Sequence, residues 1–337
     1  TKQMNKYIEK LVTLLPFKNY SLNEHAQKRQ KELQEDFIKQ LYNLGGSLSF
    51  EDALKQKSIL NVTQGELEKV IGAVVLTKEI TAGAQLELTE KGKRNALKLI
   101  RAHRIYEQYL AEHSGYAPAE WHERAHRMEH LISDEEQSRI ASLLGNPLFD
   151  PHGDPIPTQS LAMMPHNTCE LPLKEHTWWR ITHVEDDDKK LFKQITDLGL
   201  TKDSIIYITE INSTSFSFKY EGEQMCLPLV ALEAINRVEM TKEEAESMPE
   251  TRAQRLTTIQ ANEQATIVGL SPSCRGALRR RLMDLGFVKG SRIAIDMKSP
   301  MGNPVAYVVR GTAIALRHDQ AQYILIQNVK KVANDVQ

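Results

Sequence analysis

One stretch decides the fold of this 337-residue chain: Trp121-His-Glu-Arg-Ala-His-Arg-Met-Glu-His130. Counted from His122, the side chains of His126, Glu129 and His130 follow at i+4, i+7 and i+8. A helix with 3.6 residues per turn places such positions on one stripe. The spacing therefore predicts a helix that presents imidazoles and a carboxylate together, as a divalent-metal site requires.

Metal-capable residues are also concentrated upstream of this stretch. His103 and Glu107 repeat the i, i+4 spacing, and five of the eleven histidines fall within 28 residues. Imidazole and carboxylate ligands without thiolate suit Mn²⁺, Fe²⁺, Co²⁺, Ni²⁺ or Zn²⁺, and affinity order alone does not choose among them. A solvated polar face is the usual explanation of one lone histidine. Two pairs on neighbouring helices favour a metal site instead.

The string His122-Glu-Arg-Ala-His126 also matches the H-E-x-x-H motif of zinc proteases. A catalytic zinc keeps one position open for water, which Glu129 and His130 would fill here. No phosphate loop and no G-x-G-x-x-G occurs in the sequence, and Ser271-Pro-Ser-Cys274 lacks a base in register. We therefore expect a protein that is not an enzyme and has no small-molecule substrate.

Composition favours an intracellular protein of several domains. The length suits two or three domains, and 41% of the residues are hydrophobic and available for cores. Three widely spaced cysteines make no disulfide framework and indicate a reducing compartment. No apolar run approaches the roughly 20 residues that span a bilayer. We expect a cytoplasmic location, or the cytoplasmic face of a membrane if a transmembrane segment precedes Thr1, which is not a methionine.

Four flanking motifs carry a resemblance to a known family: Leu88-Thr-Glu-Lys-Gly-Lys-Arg, Arg101-Ala-His-Arg, Glu129-His-Leu-Ile-Ser-Asp and Gly153-Asp-Pro-Ile-Pro157. In this order, from about residue 30 to residue 158, the chain resembles the metal-dependent repressors of the DtxR/MntR type. The resemblance implies a winged helix-turn-helix followed by a helical domain for metal binding and dimerisation. It also implies a homodimer that binds operator DNA, with Fe²⁺ or Mn²⁺ as the metal and Zn²⁺, Co²⁺ or Ni²⁺ as surrogates.

The resemblance further implies how the ligands divide. An ancillary site would take His103, Glu107 and His122, and a primary site would take His126, Glu129 and His130. Relatives carry Cys or Glu at the position of His126, so a histidine there implies a changed metal preference. Asp36 resembles a ligand of the manganese-sensing branch, whereas Lys39 stands where a second acid is expected. The acidic run Glu185-Asp-Asp-Asp188 falls where relatives lend a ligand to the ancillary site. Asp188 is the candidate in this run, and a solvated loop is the alternative.

Residues 25–98 follow the order of a winged helix-turn-helix. A helix over 25–44 stops at Gly45-Gly46, a short helix suits 49–56, and the capping box Thr63-Gln-Gly-Glu66 opens a third helix before a hairpin at 80–88. This third helix would read DNA, but it has few cations, and the chain has a net charge of −1, which weakens contact with phosphates. The candidate DNA-binding residues are Thr63, Gln64, Lys69, Lys78 and Lys93.

A second capping box, Ser133-Asp-Glu-Glu136, opens a helix with Ile140, Leu143 and Leu144 on one face. In the family this region packs against its two-fold mate. The sequence therefore predicts that this helix contributes to the dimer interface.

Two similar β-rich segments form an internal repeat after the linker. Each combines strand, helix, Asp-Leu-Gly, strand and hairpin, and the glycines Gly199 and Gly286 would end the helices in the left-handed conformation. The second copy closely resembles FeoA domains, which are small SH3-like barrels linked to ferrous iron uptake. The first copy is a weaker match of the same kind.

The expected fold class is α+β and multidomain. The domains are an N-terminal helical segment (1–24), a winged helix-turn-helix (25–98), an all-α metal-binding and dimerisation domain (99–158), a linker (159–174) and two tandem SH3-like β-barrels (175–240 and 256–330). The expected function is metal-dependent regulation of transcription of metal-uptake genes. The alternative is a cytosolic metal-sensing region of a metal-ion transporter that acts through its FeoA-like barrels. The order of the winged helix favours the first, and the weakly basic reader helix and the duplicated barrel favour the second.

Overall fold

The computed structural model describes residues 24–164 and 171–331. The helical segment expected at 1–24 lies outside these residues except for its last position, and so does part of the expected linker. The pattern of contacts between residues divides the chain into two compact units. The first comprises the described residues up to Tyr106 with Glu123–Leu148 and Pro155–Met164. The second comprises Glu107–His122, Phe149–Asp154 and the described residues from 171 onward.

The first unit begins with the predicted winged helix-turn-helix. Its elements are α1 (Glu24–Asn43), β1 (Ser47–Leu48), α2 (Phe50–Lys55), α3 (Gln64–Leu76), β2 (Ile80–Ala82) and β3 (Leu86–Leu88). The side chain of Thr63 accepts from the backbone of Glu66 and the reverse bond is also made, so the expected capping box starts α3. Phe37, Leu41 and Leu67 are among the core side chains that hold these elements together, each at most 1% exposed.

Three helices follow: α4 (Glu90–His113), α5 (Pro118–Glu129) and α6 (Asp134–Leu143). Gly92 lets α4 start against the wing, because a Cβ there would collide with the carbonyl oxygen of Glu79. The predicted capping box of Ser133 and Glu136 opens α6. Of the apolar face predicted for α6, Ile140 packs into the small core around Ile105, whereas Leu143 is 64% exposed.

The second unit contains two antiparallel barrels with the same strand order. The first barrel has β4 (Trp178–Val184), α7 (Lys189–Asp197), β5 (Ile205–Ile211), β6 (Ser215–Tyr220), β7 (Glu223–Pro228) and β8 (Ile235–Met240). After α8 (Lys242–Ser247), the second barrel has β9 (Gln254–Arg255), β10 (Glu263–Leu270), α9 (Gly276–Asp284), β11 (Arg292–Lys298), β12 (Val305–Val309), β13 (Thr312–Leu316), α10 (His318–Ala321) and β14 (Ile324–Lys331). The sheets run β7-β6-β5-β4-β8 and β13-β12-β11-β10-β14-β9.

The repeat extends to the irregularities of the strands. The β4–β8 register shifts after Ile181, and the β10–β14 register shifts after Ile267, its counterpart. The β6–β7 and β12–β13 hairpins each turn through two residues with positive φ, Glu221-Gly222 and Arg310-Gly311. Gly199 and Gly286 have φ of +80° and +95°, as expected for the ends of α7 and α9. The prediction of two tandem SH3-like barrels is confirmed. No helix within the described ranges is both long and apolar enough to cross a membrane.

Candidate metal centres

The first candidate centre lies in the first unit, between α1 and the C-terminal end of α5. Asp36, His126, Glu129 and His130 each offer one ligand atom here, all within 4.8 Å of one another. His130 Nε2 lies 3.2 Å from Asp36 Oδ1, and His126 Nδ1 lies 3.1 Å from Glu129 Oε1. We call these four residues the primary centre. The structure thus brings together the residues that the resemblance assigns to one site.

The donor set of the primary centre fits a divalent cation. The Glu129 side chain is fully buried, and the nearest donor to buried Asp36 Oδ1 is His130 Nε2 at 3.2 Å. Two buried carboxylates cost free energy unless positive charge is paired with them, and a bound cation would supply that charge. His130 Nδ1 lies 2.8 Å from Glu35 Oε2, and this contact orients the ring so that Nε2 faces the centre. Two imidazoles and two carboxylates are ligands of the kind that Mn²⁺ or Fe²⁺ accepts.

The protonation of this centre competes with metal binding. Burial opposes a charge on His130, but the carboxylates of Asp36 and Glu35 raise its pKa to about 9. Burial pushes the pKa of Glu129 upward, yet the bonds to His103 and His126 and the charge of Lys39 hold that pKa well below its usual range. At neutral pH, Glu129 is therefore ionised, whereas His130 carries a proton that a metal ion must displace.

Two further groups contact the Glu129 carboxylate from within the first unit. Lys39 Nζ donates to Oε2 at 2.7 Å and to Oε1 at 2.9 Å. His103 Nδ1 shares a hydrogen bond with Oε2. Of the predicted ancillary set, His103 belongs to the first unit, whereas Glu107 and His122 belong to the second.

The second candidate centre lies entirely within the second unit. It consists of Glu107 on α4, His122 on α5, His152 in a loop and Asp186 after β4. His122 Nδ1 lies 3.1 Å from Asp186 Oδ2 and 3.3 Å from Glu107 Oε1. His152 Nε2 lies 4.0 Å from both of these carboxylate oxygens. We call these four residues the second centre.

The second centre also fits a cation. The Nε2 atom of buried His152 has no hydrogen-bond partner among the residues that the structure covers, and Glu107 is almost fully buried beside it. Hydrogen bonds to Asp186 and Glu107 raise the pKa of His122 to about 10. The carboxylates of Asp186 and Glu107 attract the positive charge of protonated His122. The same two carboxylates would attract a divalent ion.

Sequence reasoning missed His152, which a tight loop before the first barrel brings into place. Asp150 Oδ1 accepts hydrogen bonds from the backbone N–H groups of His152, Gly153 and Asp154, each at 2.9 Å. Gly153 has φ of +106°, and a Cβ on it would collide with the carbonyl oxygen of Thr182 in β4. The available signal was that His152 directly precedes the Gly153-Asp-Pro motif.

Two acids of the run after β4 have different roles: one belongs to the second centre and the other caps a helix. Asp188 Oδ1 accepts hydrogen bonds from the backbone N–H groups of Lys190 and Leu191 and so caps α7. Asp186, two residues earlier, is the acid that reaches His122. The sequence identified the run, but the turn that decides which acid faces the centre is a property of the folded loop.

The candidate DNA-binding residues are all exposed in the first unit: Thr63, Gln64, Lys69, Lys78 and Lys93. Several of them already have acidic partners. Gln64 Nε2 donates to Glu68 Oε1 at 3.0 Å, and Lys93 Nζ lies 2.9 Å from Glu90 Oε1. The start of α3 therefore remains weakly basic in the folded protein.

Two family models match parts of the chain. Residues 89–158 match the iron dependent repressor, metal binding and dimerisation domain, and residues 254–328 match the FeoA domain. The first match includes every residue of both centres except Asp36 and Asp186.

Three curated relatives cover different shares of the chain. The iron-dependent repressor IdeR of Mycobacterium tuberculosis is 38% identical over 78 residues, which are 23% of this chain and 34% of that protein. The diphtheria toxin repressor of Corynebacterium glutamicum is 28% identical over 132 residues, 36% of this chain and 58% of that protein. A probable metal transport system membrane protein of Chlamydia trachomatis is 41% identical over 76 residues, 23% of this chain and 17% of that protein. The chain thus spans less than two thirds of the length of each relative.

Among solved structures, a manganese-dependent transcriptional repressor in complex with manganese is similar with a TM-score of 0.54 and 24% identity, over 61% of this chain and 100% of that chain. At this identity the likeness concerns the fold, and it confirms the predicted fold class. Residues 89–158 are therefore similar to a metal-binding and dimerisation domain, and residues 254–328 are similar to an FeoA domain.

Proposed function

We propose that the chain is a metal-dependent, DNA-binding regulator of transcription for genes of metal-ion uptake, with Fe²⁺ or Mn²⁺ as its effector. The primary centre carries this proposal. Asp36 belongs to α1 of the winged helix-turn-helix, whereas His126 and Glu129 belong to α5. An ion held by both helices would favour one arrangement of the DNA-reading and metal-binding elements. The names of the mycobacterial and corynebacterial relatives support this function.

The proposal includes a homodimer whose paired winged helices contact successive major grooves. The match to a dimerisation domain at residues 89–158 supports the dimer. So do the exposed side chains of Leu143 and Leu148, at 64% and 53%, in the region that the sequence predicts for the interface.

The test is a selection of genomic DNA fragments by the purified chain with Mn²⁺, with Fe²⁺ under anaerobic conditions, or with a chelator. We expect metal-dependent retention of fragments upstream of uptake genes, and its loss in Glu129→Gln. Glu123→Gln, an exposed position of the same helix, is the matched control and should bind as the unmodified chain does. Absence of DNA retention at low salt with every candidate metal would overturn the proposal.

A second candidate function is that of a metal-sensing region in a metal-ion transporter. It is favoured by the 41% identity to a probable metal transport system membrane protein, of which the similar segment makes up 17%. The weakly basic start of α3 also suits a protein that does not depend on DNA. Fractionation of native cells with an antibody against this chain discriminates the two: recovery only with membranes favours the transporter, and recovery with DNA in the soluble fraction favours the regulator.

A further inference from the structure

We infer that Lys39 is a tethered cation on the Glu129 carboxylate, and that it limits the primary centre to one divalent ion. The inference rests on the proposed metal binding at this centre. Lys39 stands at the position where the resemblance leads one to expect an acidic residue.

The Glu129 carboxylate has two differently occupied sides. Oε1 faces the primary centre, at 3.1 Å from His126 Nδ1 and 3.7 Å from His130 Nε2. Oε2 contacts His103 and Lys39, and Lys39 Nζ also donates to Oε1 at 2.9 Å. The Glu129 carboxylate thus faces the primary centre on one side and the imidazole of His103 on the other.

The second side has the ligand types that a further divalent ion would need. A carboxylate oxygen and an imidazole nitrogen already lie in contact there, and the side chains of Glu129 and His103 are 0% and 7% exposed. The ammonium of Lys39 occupies this position, because it bonds both oxygens of Glu129 and lies 3.5 Å from His103 Nδ1. Its own side chain is only 17% exposed. The +1 charge of Lys39 therefore stands where a second ion would have to bind.

The covalent tether makes this cation permanent. A chelator cannot remove Lys39, and because its side chain is only 17% exposed, its charge repels a divalent ion more strongly than a fully solvated lysine would. A second ion is excluded by position and by charge, while the first keeps Asp36, His126 and His130 and shares Oε1 of Glu129 with Lys39.

The experiment uses the full chain in a Glu107→Gln, His122→Ala background, in which the second centre loses two of its four ligands. Mn²⁺ binding is measured by equilibrium dialysis and by electron paramagnetic resonance. We expect one Mn²⁺ per chain with the spectrum of an isolated ion. Lys39→Glu removes the cation and adds a ligand, so it should bind two Mn²⁺ per chain with a spin-coupled spectrum. Lys28→Glu is the matched control, because Lys28 lies on the same helix and is 56% exposed, and it should still bind one.

A second variant keeps the test valid if Lys39→Glu does not fold. Lys39→Met removes the charge without adding a ligand, so it should bind a single Mn²⁺ about tenfold more tightly or better, since one nearby repelling charge is lost. The inference would be overturned if the background protein with Lys39 unchanged bound two Mn²⁺ ions per chain. It would also be overturned by one Mn²⁺ ion per chain in folded Lys39→Glu, or by unchanged Mn²⁺ affinity in Lys39→Met. Absence of any Mn²⁺ binding in the background protein would instead overturn the proposed metal centre itself, and with it this inference.

Discussion

Glu129 connects most of the groups in the primary centre. Its buried carboxylate contacts His126 on one oxygen, His103 on the other and Lys39 on both. Such a group cannot be replaced by its amide without loss, because the amide carries no charge and its nitrogen is a donor that would face the Lys39 ammonium.

We predict that Glu129→Gln lowers the affinity of the primary centre for Mn²⁺ or Fe²⁺. The loss should exceed the roughly 10–100-fold that follows from removing a residue that only orients a ligand. Titration calorimetry measures it, with Glu123→Gln as control. Equal affinity and stoichiometry in both variants would remove Glu129 from the centre.

Asp186 and Asp188 contact different groups, so substitutions at the two positions should differ in their effects on metal binding and stability. Asp186→Asn should weaken metal binding at the second centre, because a charged ligand is lost. Asp188→Asn should change nothing, since asparagine also caps helices, whereas Asp188→Ala should cost about 1 kcal/mol of stability without any effect on metal binding. Calorimetry and thermal unfolding together decide this; weaker metal binding in Asp188→Asn would count against the assignment of Asp186.

The raised pKa values of His122 and His130 predict that metal binding releases protons. Both imidazoles carry a proton at neutral pH, because their pKa values are about 10 and about 9. Metal affinity should therefore rise with pH until these values are passed. The ion pairs of His122 should stabilise the metal-free chain fully below pH 6.5 and be lost as the pH rises through about 10. Because 55% of the His122 side chain is exposed, this part should be small.

Calorimetric titrations in buffers of different ionisation enthalpy measure the released protons. We expect the apparent binding enthalpy to change with the buffer, in proportion to the number of histidines deprotonated. An enthalpy that is the same in every buffer at neutral pH would show that these histidines are already neutral.

At the level of elements, local signals predicted more than distant ones. The capping boxes of α3 and α6 and the glycines that end α7 and α9 act within a few residues, so the sequence shows them directly. The two-residue strands β1 and β9 were not predicted, because each exists only through pairing with a distant partner, β3 or β14. The same distinction holds for the candidate centres. The spacing of His126 and Glu129 along α5 could be read from the sequence, whereas the positions of His152 and Asp186 depend on how a loop and the end of β4 fold.

The element that decides between the two candidate functions is α3. We predict that Lys69→Glu on α3 with Lys93→Glu at the start of α4 abolishes metal-dependent DNA binding, because each change reverses a charge that the proposal places beside the phosphates. The unmodified chain should show a shallow salt dependence, since each phosphate contact contributes only about −0.9 to the log–log slope. Fluorescence anisotropy over a range of salt concentrations measures both. Lys289→Glu, an exposed lysine of the second barrel, should have no effect; a similar loss there would mean that the barrels, not α3, bind the DNA.

At the level of the whole molecule, each unit has a candidate metal centre of its own, and the proposed dimer would therefore contain two of each kind. We predict a dimer at micromolar concentration in sedimentation velocity. Leu143→Asp should shift the chain toward monomer, because it places a charge in an apolar interface. Met301→Asp is the control, since this methionine is 93% exposed and lies outside the predicted interface. A monomer with and without metal would contradict the prediction.

The shared bulges of the two barrels have a consequence for how this chain arose. The strand order β7-β6-β5-β4-β8 recurs in β13-β12-β11-β10-β14, and the register shift after Ile181 recurs after Ile267, which favours an origin of both barrels from one ancestral copy. The segment between the first strand and the helix did not stay alike, with Glu185-Asp-Asp-Asp188 in one copy and Ser271-Pro-Ser-Cys274 in the other. The same scaffold thus carries an acidic loop in one copy and a loop without carboxylates in the other, so only the first copy offers carboxylates from this loop to the second centre.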